Sequence, residues 1–295
     1  MSTHIYRVMA AVVGAAWLLS AADLAHATPS TTYFTPATSD IQAFKVWHIG
    51  VDNYFRLYRT QEEFDRGFGV PAGNGAFPTD VGLTVGVLPF EKVQMEVGID
   101  GLFPGSSLHP TMRSIGNSLL FNTKVGTPEG AFFGSWFPAI NIGMFNIGTR
   151  TQVTDMNIVD LIVGKTLGPF GRIHAGGYYG NPGAALMRKH GCLPGNANPL
   201  IACNADPESG KLENSGGMVG YDYGFWKVKD SAGNEYNKWV LAADYASGKN
   251  LIGGGGFGMY YYFTKDISLL TGPVWFNDHV INGQWKWTVQ LDINF

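Results

Sequence analysis

Residues 285–295 read WKWTVQLDINF. Trp285, Trp287, Val289, Leu291, Ile293 and Phe295 are large and apolar, while Lys286, Thr288, Gln290, Asp292 and Asn294 between them are polar. Successive side chains of a strand point to opposite faces. The stretch is therefore a strand with one apolar and one polar face, and the alternation runs to the last residue.

The same period of two recurs upstream, and helical periodicity is almost absent after residue 28. In 44–58 (FKVWHIGVDNYFRLY), Trp47, Ile49, Val51, Phe55 and Leu57 share one face and His48, Asp52, Tyr54 and Arg56 the other. Val81, Leu83, Val85 and Val87 alternate with Gly82, Thr84 and Gly86. After a turn, Val93, Met95, Val97 and Ile99 alternate with Gln94, Glu96, Gly98 and Asp100. Further strands are expected near 117–126, 132–147, 156–166, 170–180, 216–228, 236–247, 250–263, 266–276 and 284–295, making twelve. The links after the second, fourth, sixth and tenth strands are short. Those after the first, third and seventh (59–78, 103–116 and 181–215) are long, and the short link 247–250 breaks the rule. Short turns at one end and long loops at the other organise a transmembrane barrel.

Of the 295 residues, 15% are charged, 14% aromatic and 40 are Gly. This is low in charge and rich in rings for a soluble domain. MSTHIYR, the apolar VMAAVVGAAWLL and Ala25-His26-Ala27 read as a secretory signal peptide over 1–27, with cleavage before Thr28. No later run is long and apolar enough for a membrane helix. Export permits a disulfide between Cys192 and Cys203 in a Gly/Pro/Asn-rich loop. Residues 28–43 form an N-terminal periplasmic segment that either reaches into the lumen or pairs with a partner, and 44–295 form the barrel.

Three features turn the apolar face toward lipid. The strands are about ten residues or longer, against about five or six in soluble sheets, and a tilted strand needs about 9–11 to cross a bilayer. Aromatic residues gather near strand ends, as at Phe132 and Phe133, Tyr178 and Tyr179, and Tyr260 to Phe263, as in interfacial belts. The opposite face is too small and polar to pack as a core.

The final strand resembles the terminal strand of bacterial outer-membrane β-barrels, which end in a Phe carboxylate preceded by apolar residues at alternate positions. Phe295, Ile293, Leu291, Val289 and Trp287 match that signal. The resemblance implies an all-β, antiparallel up-and-down transmembrane barrel of about twelve strands in the outer membrane of a Gram-negative envelope. It also implies recognition of the end strand by the barrel-assembly machinery, contact with outer-membrane lipid, and closure on strand one.

A charge facing lipid costs about 2–4 kcal/mol at the midplane, so the strand charges should face inward. The lumen candidates are His48, Asp52, Arg56, Glu96, Asp100, Lys124, Asp160, Arg172, His174, Asp222, Lys238, Asp244, Lys286 and Asp292. Acids are in excess, which suits a mild cation preference, and the same groups would also serve as a network filling a narrow barrel. Eight strands enclose a filled interior and 16–18 an open channel; twelve lies between. Gly253 to Gly256 mark a bend in the sheet or a close approach of another segment to the wall. No phosphate loop and no basic run for nucleic acid is present, and no cofactor or metal is expected. His109, Ser114 and Asn117 share a loop but lack the His-x-Ser-Asn-Gly arrangement of barrel phospholipases, and proximity in sequence is not triad geometry. The leading expectation is a passive porin for small solutes. Its alternative is a closed barrel acting as scaffold, adhesin or partner of an envelope complex, with a hydrolase a distant third. Whether the chain forms a homo-oligomer stays open.

Overall fold

A computed structural model describes residues 31–55, 79–103, 118–199, 201–283 and 285–295. Twelve strands follow in order: β1 (Trp47–Phe55), β2 (Thr79–Gly86), β3 (Gln94–Phe103), β4 (Ser118–Thr127), β5 (Ala139–Ile147), β6 (Ile158–Thr166), β7 (Arg172–Tyr179), β8 (Ser215–Lys229), β9 (Glu235–Ala246), β10 (Gly254–Thr264), β11 (Ile267–Phe276) and β12 (Trp285–Asn294). Each pairs with its chain neighbours, and β12 returns to β1 to close the barrel. At that seam the antiparallel register runs from His48 opposite Asn294 to Phe55 opposite Trp287. Trp47 and Phe295 finish it with reciprocal backbone hydrogen bonds of 2.8 and 2.9 Å. Closure leaves no strand edge unpaired.

The two faces are inverted relative to a soluble protein. Leu119, Phe121, Val125, Ile142, Leu161, Val219, Leu241 and Phe257 are exposed on the outside. Thr84, Glu96, Lys124, Asn141, Asp160, Asp222, Asp244 and Gln290 are buried inside. A soluble fold hides the first set and wets the second; a barrel in lipid does the reverse.

One strand starts later than its pattern suggests. The aromatic tract from Phe132 reads as the start of β5, yet the chain turns there. Gly130, Phe133 and Gly134 take φ values of 75°, 57° and 85°, left-handed backbone that no strand continues. Phe132, Phe133, Trp136 and Phe137 pack into a knot with ring centres 5.7 to 6.5 Å apart.

The segment before β1 reads as an N-terminal periplasmic segment, 28–43, that either reaches into the lumen or pairs with a partner. Residues 31–43 run inside the barrel, down from the long-loop end to the short-turn end. There the chain reverses at Lys45 (φ 65°) and climbs as β1. Phe34 marks the upper position, edge-on to Tyr54 and Phe276 at 5.8 and 5.4 Å. Gln42 marks the lower one, its N–H donating to Glu96 Oε2 at 2.6 Å. Thr32, Tyr33, Thr35, Ala37, Thr38, Ser39 and Gln42 are buried. The expected signal peptide (1–27), most of the long loops 59–78 and 103–116, and His109, Ser114 and Asn117 lie outside the described residues.

The loop between β7 and β8 closes over the long-loop end. Ala184, Ala185, Leu186 and Met187 are fully buried and share one apolar cluster with Ala37, Leu120, Met156, Ile158 and Ile162. Backbone bonds tie this cap to its neighbours: Ala185 N–H to Gln152 O at 3.0 Å and Leu251 N–H to Leu186 O at 2.9 Å. Cys192 and Cys203 are joined by a disulfide within it.

Candidate functional site

The site is the lumen, divided lengthwise by the inner segment. The wall positions that face this segment are small. A Cβ on Gly256 would stand 2.2 Å from Tyr33 Cε1, one on Gly258 2.5 Å from its Cε2, and one on Gly272 2.6 Å from its hydroxyl. No real side chain tolerates such distances, so the tyrosine ring lies in a bed that only glycine leaves open. The Gly253–Gly256 tract thus ends at a place where another segment approaches the wall. Gly220 and Gly164 leave similar room for the Ala37 carbonyl and the Ser39 hydroxyl.

Wall side chains then hold the segment. Asp244 Oδ2 accepts from three successive backbone N–H groups, Tyr33 at 2.9 Å, Phe34 at 2.7 Å and Thr35 at 2.7 Å. Such a run of N–H groups makes an anion nest, here closed on a carboxylate of the wall. Arg172 grips Asp40 with two bonds of 2.8 Å and turns its Nε to Asp222 Oδ1 at 3.0 Å. Fork-to-carboxylate pairing of this kind fixes orientation as well as energy. His174 sits between. The Ser39 N–H donates to Nδ1 at 3.1 Å, so the ring proton is on Nε2 and is donated to Asp222 Oδ2 at 3.0 Å. Gln290 Nε2 donates to the Tyr33 carbonyl at 3.1 Å, Asn141 Nδ2 to the Thr38 carbonyl at 2.9 Å, and Lys124 Nζ to the Asp40 carbonyl at 3.1 Å. Tyr33 is shut off from water beside Asp244.

Most of these anchors lie on β7 to β12, with single contacts from Asn141 on β5, Lys124 on β4 and Glu96 on β3, and the side of β2 to β5 is only partly filled. A cavity of about 240 Å³ remains against β2 to β5, walled on its other side by Phe34, Thr35 and Pro36. Asp80, Glu96, Asp100 and Asp160 line it, with Lys124 and Lys286. Lys124 is 3.6 Å from Glu96 Oε1, and Lys286 lies 5.0 Å from the Phe276 ring centre. Acids outnumber bases on this wall.

The structure therefore sorts the sequence candidates into groups. Arg172, His174, Asp222 and Asp244 hold the inner segment. Glu96, Asp100, Lys124, Asp160 and Lys286 line the cavity. His48 Nε2 is 3.4 Å from Asp292 Oδ1, and Asp52 pairs in register with Asp80. Lys238 departs from the rest. Its ammonium lies 4.7 Å from the Tyr261 ring centre, and Tyr261 points outward between the buried Tyr260 and Tyr262. The ladder lacks the pair at this point, where Trp226 on the neighbouring strand has φ 60°, while the register on either side of it is the same. Arg56 lies outside the described residues. Two functional residues escaped the sequence reading. Asp80 has the parity of Gly82 and Thr84, but a strand begun at Val81 leaves it out. Asp40 lies in a segment without any period.

A closed sheet with lipid-like exposure outside and hydrogen-bonded charge inside decides the architecture. The fold is a transmembrane-type β-barrel. No protein-family model matches the chain, and no curated protein does. Among solved structures, an outer-membrane channel from Pseudomonas putida F1 is similar at 10% identity and a TM-score of 0.41, over 92% of this chain and all of that one. The outer-membrane phospholipase of Salmonella typhi, a dimer with bound calcium, is similar at 10% identity and a TM-score of 0.42, over 85% and 90%. A mutant Rh. blastica porin is similar at 9% identity and a TM-score of 0.36; the match covers 73% of this chain and only 55% of the porin's length.

Proposed function

We propose that the chain is an outer-membrane channel for small solutes, narrowed by its own N-terminal segment and selective for cations. One observation carries this reading: residues 31–43 fill one side of the lumen and leave an acid-lined cavity along the other. Carboxylates in a low-dielectric cleft raise the local concentration of cations and repel anions. The apolar outer face supports lipid contact and an outer-membrane location. The end strand, with Phe295 bonded across the seam to Trp47, supports its role as the signal read by the barrel-assembly machinery.

Folded protein in planar bilayers tests the reading. Small conductance steps are expected, with a reversal potential in a salt gradient that favours cations. Deletion of residues 31–40 should raise the unit conductance several-fold. Silence of both proteins sinks the channel. Conductance from the deletion alone supports the second reading, a closed barrel that serves a surface partner. The observation favouring that reading is the cap, which seals part of the long-loop end with fully buried Leu186 and Met187.

A further inference from the structure

The cavity beside the inner segment has two chemically different ends. Toward the long-loop end lie rings: Phe34 meets Tyr54 and Phe276 edge-to-face, with centres 5.8 and 5.4 Å apart, and all three line the cavity. Deeper on the same wall lies a row of carboxylates. Asp52 on β1 is in register with Asp80 on β2, and Asp100 on β3 is in register with Gly82, the next inward position. A side chain on Gly82 would strike Asp100 Oδ1 at 2.7 Å, so the glycine leaves that carboxylate lying across the wall.

These acids are poorly neutralised. Asp100 accepts from Asn122 Nδ2, an amide without charge. Asp80 Oδ1 is closed off from solvent and has no hydrogen-bond partner. Among the described residues, no lysine, arginine or histidine forms a salt bridge with Asp52, Asp80 or Asp100. An unpaired buried carboxylate oxygen is costly and calls for a donor or a cation. The described residues hold no group of acids, histidines or cysteines arranged for a metal ion. The donor set instead suits an ammonium group, which needs several oxygens at hydrogen-bond distance and no fixed coordination geometry.

The spacing supplies the rest of the ligand. Tyr54 is two residues from Asp52 on β1, so the ring end and the acid end are about 7 Å apart along the strand. Rings also attract cations and the C–H groups beside them. About 240 Å³ of space lies below the roughly 300–1,000 Å³ of sites for drug-sized molecules, so the occupant is small. We propose that this half-lumen binds a small organic ammonium ion with an apolar body two or three carbons from the nitrogen. The ammonium lies between Asp80 and Asp100, and the apolar body lies against Phe34, Tyr54 and Phe276. The proposal names the solute class for the channel reading and rests on it only for passage, not for binding.

Equilibrium binding on the full barrel, folded in detergent, tests the site apart from the channel. The probes are phenethylammonium, its neutral counterpart 2-phenylethanol and the anion 3-phenylpropanoate, followed by titration calorimetry. Phenethylammonium should bind with one site per barrel, at least about tenfold more tightly than the alcohol, with no heat from the anion. Asp80→Asn and Asp100→Asn should each weaken it about tenfold, with folding of each variant checked by its gel mobility before heating. Equal affinity for the alcohol, absence of binding, or unchanged affinity in folded Asp80→Asn and Asp100→Asn overturns the site. If a variant does not fold, the comparison of cation with alcohol on the unaltered barrel decides. Binding without conductance leaves the site and removes the channel; conductance without binding does the opposite.

Discussion

Single residues of the wall set the shape of the lumen. Gly256 is the sharpest case, because a side chain there cannot coexist with the Tyr33 ring. Gly256→Val should expel the ring or force the sheet apart, at about 1–3 kcal/mol of stability. The check is denaturant unfolding in micelles, read beside unit conductance, which should rise. Arg172 and Asp40 form a second control point. Breaking a buried ion pair from one side costs about 3–5 kcal/mol, and Asp40→Asn leaves Arg172 without half of its partner charge. In an Asp40→Asn background, a cysteine probe at Ser39→Cys should react with a water-soluble thiol reagent many times faster than in the parent. Equal rates would mean that the pair does not hold the segment.

At the scale of elements, period and parity carried the strands but not what lies between them. Twelve alternating runs, ended by WKWTVQLDINF, were enough for strand order and closure. β5 starts late because aromatic residues suit both a strand end and a turn knot, and only the backbone of Gly130, Phe133 and Gly134 separates the two. The inner segment could be named as a lumen or partner segment but not placed. Its burial depends on wall residues more than two hundred positions away, such as Asp244 and Gln290, and no local pattern records that. The cap offers a measurable element of its own. Removing the short disulfide with Cys192→Ser and Cys203→Ser should cost about 2–4 kcal/mol, seen as faster proteolysis within 193–202 while the strands stay protected. Within the cap, Lys211 and Lys189 hold the Glu208 carboxyl down to about 2. A lowered carboxyl stabilises above its unfolded value and loses that effect as pH falls through its folded value. Protection of the amides around 206–212 from exchange should therefore fall progressively as pH drops from about 5 toward 2.

The whole molecule is organised around lipid outside and a partly filled polar space inside. Leu161 stands half-exposed on the outer face of β6. Leu161→Arg should cost about 2–4 kcal/mol near the midplane, measured by reversible folding into vesicles, while conductance of the folded fraction stays as in the parent. The opposite pattern is expected at the seam. Phe295→Asp should lower the yield of inserted barrel in cells and leave the selectivity of barrels that do insert unchanged. A change in selectivity would remove the assembly role from that residue.

The inner segment also constrains the order in which this protein can be made. Residues 31–43 lie within a ring that β1 and β12 complete. Threading a chain through a finished ring is slow, and contacts between the two ends of a sequence form late because distant loops must close first. The simpler route is that the segment is laid against the inner wall while the sheet is still open, and the seam then closes beside it. On that route an N-terminal stretch becomes the template on which the last strand is set.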